Sequence, residues 1–386
     1  MELASVTQSV TVDLAAGTAT GASIGTDTLI NIQQVAGSSA DDTLRGSDST
    51  FNEAFRGNAG NDLIDGRGGF DLARYQYAAN AVSVNLATGV AVVTATDQDT
   101  LVSIEGVRGS NFNDTLIGGN AASAALEVFL GNGGNDLIDG GAGYDRVDYT
   151  NSMQAVVVQL RGTADGTARD GVPVLNGQIQ YAGTAGATTG VDTLRHIEAV
   201  RGSDFNDILA GSNIATLEIF EGRKGNDKID GKGGIDRASY HSATSGVTVV
   251  LGQNGAAGTA ADGYGTVDTL RNIEYVLGSR DFADRITGNE LTNQLDGQGG
   301  NDTLVGGAGS DLLLGGLGND LLLGGTGNDI LSGGAGRDFF RFADALTANV
   351  DRISDFVAAD DTFQLDDAVF TGIGALGALG AAAFRA

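Results

Sequence analysis

The chain has 386 residues, and its 22 Lys and Arg against 49 Asp and Glu give a formal net charge of −27. A chain with this much negative charge is not expected to bind nucleic acid or an anionic membrane surface. Its expected partners are cations. It contains no cysteine, so disulfides cannot stabilise it, and it has no apolar stretch long enough for a transmembrane helix.

Four repeats of one pattern follow each other along the chain, and each begins with a short alternating strand. These strands lie at Ser9–Leu14, Val82–Leu86, Val156–Leu160 and Val247–Leu251. The motif D-T-L-x-x-I then begins at Asp27, Asp99, Asp192 and Asp268. We interpret each repeat as a strand pair followed by a block of glycine-rich turns, which predicts a stacked repeat architecture. Because no turn block precedes the first strand, we expect that the chain is cut from a longer protein at its N-terminus.

Each of the first three turn blocks contains two turns close to G-G-x-G-x-D. Their last residues are Asp62, Asp71, Asp136, Asp145, Asp227 and Asp236. A degenerate turn before each pair ends in Asp42, Asp114 or Asp207, and an intermediate acidic position adds Glu53, Glu127 and Glu218. We predict that one side stacks Asp42/Asp62, Asp114/Asp136 and Asp207/Asp227, and the other Glu53/Asp71, Glu127/Asp145 and Glu218/Asp236. The spacing between the degenerate and full turns requires a bulged loop.

The fourth block has a nine-residue period without a slip. Its glycine-rich turns end at Asp302, Asp311, Asp320, Asp329 and Asp338, and an apolar residue lies two positions after each. Glycine permits φ > 0 in a tight turn, aspartate supplies a hard oxygen ligand, and the apolar residue points inward from a very short strand. Nine residues form half a coil, so same-side aspartates lie 18 residues apart. The same register reaches back to Asp284 and to the neutral Asn293.

These nonapeptides resemble the repeats of the RTX (repeats-in-toxin) family of type I secreted proteins. The resemblance implies a right-handed parallel β-roll, with Ca²⁺ held between same-side turns by aspartate carboxylates and loop carbonyls. It also implies type I export and a secreted, extracellular or cell-surface location. The segments Asp338–Phe342, Asp351–Phe356 and Asp360–Asp367 resemble the C-terminal cap of serralysin-type modules. The chain stops soon afterwards, so we expect an absent or truncated export signal.

The ligand chemistry favours calcium over other metals. Only His196 and His241 could donate nitrogen and there is no thiol, whereas zinc, copper and iron sites favour such ligands. Flexible loops of carbonyls and carboxylates suit Ca²⁺ better than Mg²⁺. Carboxylates stacked about 4 Å apart repel by about 4 kcal/mol at an effective dielectric constant near 20, so we expect the roll to fold only with calcium.

Other motifs carry less weight. The two histidines lack H-E-x-x-H spacing, and we interpret them as surface or strand-edge residues. The segments Gly21–Gly25 and Gly372–Gly377 match G-x-S-x-G and G-x-G-x-x-G, but neither has the surrounding elements that those motifs need. Tyr75, Tyr149 and Tyr240 each follow a block by four residues. They could form a sugar-stacking stripe, but we favour half-buried rings that cap the roll.

We therefore predict an all-β parallel β-roll or β-solenoid in tandem blocks. Its segments are residues 1–75, 76–149, 150–240 and 241–342, followed by a truncated cap at 343–386. The expected function is a calcium-binding structural or adhesive region of a large exported protein, with no enzymatic activity, no membrane insertion, and a surface polymer or another copy as a possible partner. The alternative is a secretion and folding module of an enzyme whose catalytic domain lies outside this chain. The four tandem repeats favour the first function.

Overall fold

The computed structural model describes residues 1–119, 126–162, 164–169, 174–175, 178–179, 190–344, 350–366 and 368–370. The described residues form short strands and no α-helix, as the sequence predicts. No helix in this part of the chain is long and apolar enough to cross a membrane. The chain divides into an N-terminal unit, Met1–Phe220, and a C-terminal unit, Glu221–Ala386. The division into five segments stays a prediction.

The strands are numbered in chain order. The first group is β1 Val10–Asp13, β2 Thr18–Gly21, β3 Gly25–Thr28, β4 Gln34–Ala36, β5 Thr43–Arg45, β6 Glu53–Arg56, β7 Leu63–Asp65, β8 Asp71–Arg74, β9 Ser83–Asn85, β10 Val90–Thr94, β11 Asp97–Val102, β12 Gly106–Arg108 and β13 Thr115–Ile117. The second group is β14 Leu126–Leu130, β15 Leu137–Asp139, β16 Tyr144–Asp148, β17 Val157–Gln159, β18 Gly166–Arg169, β19 Val174–Leu175, β20 Gln178–Ile179, β21 Val191–Arg195, β22 Ala199–Arg201, β23 Ile208–Ala210 and β24 Leu217–Glu221. The third group is β25 Lys228–Asp230, β26 Ile235–Ser239, β27 Thr248–Val250, β28 Gly258–Ala261, β29 Val267–Arg271, β30 Tyr275–Leu277, β31 Arg285–Thr287, β32 Gln294–Asp296, β33 Thr303–Ala308, β34 Leu312–Leu317, β35 Leu321–Thr326, β36 Ile330–Ala335, β37 Phe339–Phe342, β38 Arg352–Ile353 and β39 Thr362–Leu365.

In the N-terminal unit, the successive strands of each turn block alternate between two sheets. One sheet is parallel throughout, in the order β4, β6, β8, β12, β14, β16, β22. The other sheet contains parallel neighbours such as β5 with β7 and β13 with β15. Each half-coil therefore contributes one strand to one sheet, which is the β-roll arrangement that the period predicts.

Antiparallel meanders interrupt the second sheet between the turn blocks. Strand β11 pairs parallel with β7, then β11, β10 and β9 pair antiparallel in sequence, and β9 pairs parallel with β13. The trios β1–β2–β3, β17–β18–β21 and β27–β28–β29 repeat the meander. The alternating strands that open each repeat are thus the first strands of three-stranded meanders rather than of strand pairs.

The regular roll occupies the C-terminal unit. Strands β30, β32, β34, β36 and β38 form one parallel series, and β27, β31, β33, β35, β37 and β39 form the other. The inward column of this roll is fully buried, and it consists of Leu304, Leu313, Leu322, Leu331 and Phe340. Burying each such side chain contributes about 1.5–3 kcal/mol, so the two sheets are held together by this apolar column.

Candidate metal centre

The regular roll carries a hydrogen-bonded ladder of aspartates on each side. The backbone N–H of Asp302 donates to Oδ1 of Asp320 at 2.8 Å, and that of Asp320 donates to Oδ1 of Asp338 at 2.9 Å. On the opposite side, Asp311 donates in the same way to Asp329 at 2.8 Å. The ladder begins at Asp284, which donates to Asp302 at 2.7 Å. The 18-residue stacking that the period predicts is therefore confirmed.

The second carboxylate oxygen of each full turn is buried and has no hydrogen-bond partner among the described residues. This holds for the Oδ2 atoms of Asp302, Asp311, Asp320, Asp329 and Asp338. An unpaired buried carboxylate oxygen is costly, and a cation is the usual compensation. These five oxygens are therefore the strongest candidates for metal ligands.

The first glycine of each turn leaves space beside that oxygen. A Cβ atom at Gly306 would overlap both Oδ2 of Asp311 and the carbonyl oxygen of Gly324 in the next coil. Gly315 lies in the same way against Asp320 and Gly333. A carboxylate oxygen and a backbone carbonyl oxygen thus face one cradle that only glycine permits, and this donor set suits Ca²⁺.

Burial raises the pKa of the ladder carboxylates. The pKa values of Asp302 and Asp311 rise to about 7 and that of Asp320 to about 6, chiefly through desolvation. Neighbouring aspartates add to this effect, as Asp329 does for Asp311. The anionic ladder is therefore unfavourable near neutral pH unless a cation compensates its charge.

Within the described residues, no group of three or more His, Cys, Asp or Glu side chains forms a metal cluster. Each turn contributes a single carboxylate to a column, so side chains alone do not complete a coordination sphere. Calcium takes six to eight oxygen ligands, many of them carbonyls. A site here depends on the loop carbonyls as much as on the aspartates.

The turn blocks of the N-terminal unit form similar columns. The backbone N–H of Asp42 donates to Oδ1 of Asp62 at 2.7 Å, and that of Asp114 donates to Oδ1 of Asp136 at 2.8 Å. On the other side, Glu53 lies opposite Asp71 and Glu127 lies opposite Asp145 in the parallel register. These four predicted stacks are confirmed. The pairs Asp207/Asp227 and Glu218/Asp236 join residues of different units, and their stacking stays a prediction.

The aspartates of the degenerate turns differ from the others because protein donors already satisfy them. Asp114 accepts the Ser110 hydroxyl and the Val82 N–H on Oδ1, at 2.6 and 2.8 Å, and the Ser110 N–H on Oδ2 at 2.6 Å. Serine plays the same role beside the equivalent aspartates, which are Asp42, Asp207 and Asp284. Their geometry favours a structural role at the start of each column, and calcium binding by them stays a prediction.

The three glutamates accept hydrogen bonds from the wide turns that precede them. Both oxygens of Glu53 accept from Ser47, at 2.7 and 2.8 Å, and both oxygens of Glu127 accept from the N–H of Gly119, at 2.8 and 3.1 Å. Oε2 of Glu218 accepts from the Ser212 N–H at 2.7 Å, whereas its buried Oε1 has no partner in the described chain. The longer side chain spans the extra residues of the bulged loop, and a metal role for the three glutamates is untested.

Sequence reasoning missed six acidic residues that extend the columns. Three of them are the aspartates that begin the D-T-L-x-x-I motif. Oδ1 of Asp99, for example, accepts the backbone N–H of Asp62, which ends the first full turn, at 3.0 Å. The other three are the glutamates six positions later. Oε2 of Glu105, for example, accepts the backbone N–H of Asp71, which ends the second full turn, at 2.9 Å. The equivalent residues are Asp192, Asp268, Glu198 and Glu274. Their signal was the constant six-residue separation between the Asp and the Glu in these three repeats.

The ladder also continues beyond the last nonapeptide. Asp329 donates its N–H to Oδ1 of Asp351 at 3.1 Å, and Asp338 donates to Oδ1 of Asp361 at 3.0 Å. The intervals of 22 and 23 residues break the period of 18, which concealed these partners. Here β38 and β39 close the two ladders.

The three tyrosines that recur in the repeats are buried, and each donates a hydrogen bond to an aspartate. Tyr75 and Tyr240 are only 5% and 4% exposed, and their hydroxyls donate to Oδ2 of Asp99 at 2.9 Å and of Asp268 at 3.2 Å. Tyr149 donates to Asp192 at 3.0 Å. The prediction of half-buried capping rings is wrong, and this burial also excludes a sugar-stacking stripe. The rings stabilise the aspartates that end one column.

The remaining sequence motifs within the described residues do not form a catalytic or binding site. His196 has a 53% exposed side chain beside Asp139, and His241 is exposed, as predicted for surface residues. The segment Gly21–Gly25 is the turn of the β2–β3 hairpin, which provides no nucleophile elbow. The segment Gly372–Gly377 and most of the loop at residues 161–190 lie outside the described residues.

A family model described as RTX calcium-binding nonapeptide repeat (4 copies) matches residues 54–73, 127–148, 219–238, 280–313, 287–322 and 314–342. This chain contains RTX calcium-binding nonapeptide repeats. The matched segments contain every full-turn aspartate and all five unpartnered Oδ2 atoms of the regular roll. A search of the curated proteins gave no match.

The RTX assignment supports calcium as the ligand of this β-roll. It agrees with the oxygen-only donor set and with the glycine cradles, which were found independently of it. RTX repeat regions typically have no catalytic role. The resemblance of the last segments to a serralysin-type cap stays a prediction.

Proposed function

We propose that this RTX chain is a calcium-folded structural or adhesive region of an exported protein, acting in the extracellular space or at the cell surface. The observation that carries the proposal is the run of five consecutive full turns whose buried Oδ2 atoms lack a partner among the described residues. A run of equivalent sites at successive turns indicates a structural use of calcium, since a catalytic ion needs only one site.

The electrostatics support folding that depends on calcium. Each ladder carboxylate loses hydration on burial and faces another carboxylate one coil away, so the anionic column opposes folding. A cation in each cradle attracts both carboxylates and so compensates their mutual repulsion. If free calcium is about tenfold above the dissociation constant, each site adds about 1.4 kcal/mol, and several sites together approach the stability of a domain.

This dependence suits an exported chain. In the calcium-poor cytosol the chain stays unfolded and can pass a narrow type I exporter, and it folds where calcium is abundant. Extracellular calcium modules have dissociation constants of about 10⁻⁴–10⁻³ M, which matches such a switch. Because the chain has no cysteine, calcium takes the stabilising role that disulfides have in many secreted proteins.

A second candidate is a secretion and folding module of an enzyme, such as a protease, lipase or polysaccharide epimerase, whose catalytic domain lies outside this chain. The regular roll followed by β37–β39 favours it, because these segments resemble a serralysin-type cap. Sequencing the gene on both sides discriminates the two, since an H-E-x-x-H motif or a nucleophile elbow there would favour the second. We also propose that the chain itself is not an enzyme, and reproducible turnover in a broad hydrolase screen would contradict this.

Circular dichroism of the purified chain tests calcium-dependent folding. We expect little β signal in EGTA and a cooperative gain of β structure when calcium is added. Magnesium at equal ionic strength is the control for simple charge screening, and it should not substitute. A full β signal in EGTA would reject the proposal.

A further inference from the structure

The second full turn of each short block has an unusual neighbour. One coil beyond it lies the end of the D-T-L-x-x-I-E segment instead of another glycine-rich turn. In the first block, Asp71 is fully buried, and neither of its carboxylate oxygens has a hydrogen-bond partner in the described chain. In the regular roll only one oxygen of each aspartate is in this state, so Asp71 has one more oxygen available for a cation.

The neighbouring segment reproduces the cradle of a calcium turn without its glycines. A Cβ atom at Gly66 would overlap the carbonyl oxygen of Ser103 and lie 2.5 Å from Oδ2 of Asp71. This is the arrangement of Gly306, whose cradle is formed by Asp311 and the Gly324 carbonyl. The carbonyl of Ser103 therefore occupies the place of a glycine carbonyl in the next coil.

Backbone conformation explains how Ser103 does this. Its φ is +50°, in the left-handed region that residues other than glycine rarely adopt. The equivalent residues of the next repeats, His196 and Asn272, have φ of +48° and +50°. Asn31, at the same position of the first repeat, has φ of +54° although no glycine-rich turn precedes it, so the conformation belongs to the D-T-L-x-x-I motif itself. In the later three repeats it places a backbone carbonyl beside the turn aspartate whatever the side chain is.

The carboxylate of the segment completes the arrangement. Oε2 of Glu105 accepts the N–H of Asp71 at 2.9 Å, as the next aspartate does in the regular ladder. Glu198 accepts in the same way from Asp145 at 3.0 Å, and Glu274 from Asp236 at 3.0 Å. Asp145 also has both oxygens buried without a partner in the described residues, so the first two repeats agree in detail.

We propose that each D-T-L-x-x-I-E segment completes an additional calcium site with the turn before it. The three sites consist of Asp71, the Ser103 carbonyl and Glu105; of Asp145, the His196 carbonyl and Glu198; and of Asp236, the Asn272 carbonyl and Glu274. The carbonyls and glutamates lie outside the segments that match the RTX repeat. The proposal rests on the proposed calcium-dependent folding and extends it: the ion links each turn block to the strand meander that follows it.

Counting bound calcium in the full chain tests the proposal. A triple variant, Glu105→Gln, Glu198→Gln and Glu274→Gln, keeps an acceptor for the backbone N–H but removes three charges. The matched control removes three charges from exposed carboxylates, through Asp281→Asn, Glu290→Gln and Asp360→Asn. Equilibrium dialysis at saturating calcium should show a loss of up to three ions per chain in the triple variant and none in the control.

An unchanged calcium count and affinity in the triple variant would overturn the additional sites while leaving the proposed function intact. Wild-type chain that binds no calcium would instead overturn the proposed function. If the triple variant does not fold, anomalous diffraction from calcium-grown wild-type crystals decides. The expected result is a peak about 2.3–2.6 Å from the Ser103 carbonyl oxygen and from Asp71, and its absence would reject the site.

Discussion

Asp302 donates its backbone N–H to Oδ1 of Asp320 at 2.8 Å, while Oδ2 of Asp320 stays buried and unpartnered among the described residues. One oxygen therefore fixes the stacking of the coils, and the other is left for a cation. This division of roles allows the two to be separated by substitution.

Asp320→Asn should keep the stacking and weaken the calcium site. The amide oxygen can still accept the Asp302 N–H, but the anionic ligand is lost. We expect the gain in the free energy of unfolding between limiting and saturating calcium to fall by about 1–2 kcal/mol. Urea unfolding at these two calcium concentrations measures the gain. Asp281→Asn, at an exposed position, is the control, and an equal calcium-dependent gain in both variants would contradict the assignment.

Asn293→Asp is the reverse experiment at the neutral position of the ladder. The Asn293 side chain is 1% exposed, and its Nδ2 donates to the Glu274 carbonyl oxygen at 3.2 Å. An aspartate there loses this donor and places an anion against the carbonyl. We expect a loss of about 1–3 kcal/mol in the free energy of unfolding at limiting calcium, and one more bound calcium ion per chain at saturating calcium. Calorimetric titration gives the number of bound calcium ions. A number equal to that of the wild-type chain would contradict the proposal that the ladder binds calcium.

Gly306→Ala should remove a calcium site without removing a ligand. The added Cβ would overlap Oδ2 of Asp311 and the Gly324 carbonyl oxygen, which closes the cradle. We expect calcium affinity to fall at least tenfold at this site, because the two oxygens can no longer converge on one ion. Gly265→Ala is the control: its φ of +98° strains an alanine, but no atom lies within 4 Å of the added Cβ. Equal calcium binding in the two variants would show that the cradle is not the site.

Acid should partly replace calcium. The folded pKa values of Asp302 and Asp311 are about 7, above the ordinary value of 3.8, so the folded roll binds protons more tightly than the unfolded chain. The resulting stability is fully present below about pH 4 and is lost as pH rises through about 7. In EGTA, the β signal in circular dichroism should therefore be larger at about pH 5 than at about pH 8. A β signal that grows with pH over this interval would contradict the burial of ionisable carboxylates in the ladder.

Tyr75→Phe should destabilise the first repeat through Asp99. The lost hydroxyl leaves Oδ2 of Asp99 without the donor that it has at 2.9 Å, inside a site where burial already raises the pKa of Asp99 to about 6. We expect a loss of about 1–3 kcal/mol in the free energy of unfolding. Tyr77→Phe, on a ring that is 71% exposed, should change this value by less than about 0.5 kcal/mol. Similar losses in both variants would mean that the internal hydrogen bond does not matter.

The nine-residue period was enough to predict the stacking of the regular roll. A strict period of nine residues fixes which aspartates share a side, because a side chain two half-coils away returns to the same position. Asp302 over Asp320, and Leu304 over Leu322, follow from the period alone. The oxygen-only ligand set likewise indicated calcium before any geometry was known.

The contacts between the turn blocks became visible only in the folded chain. The antiparallel meander brings Asp99 to Asp62 across 37 residues, and the equivalent intervals in the next repeats are 56 and 41 residues. No fixed spacing marks these pairs, because the length of the intervening hairpin does not alter where its last strand joins the sheet. For the same reason the burial of Tyr75 and the left-handed backbone of Ser103 had no signal in the sequence. Local periodicity specifies the coil, whereas contacts across variable loops depend on the folded chain.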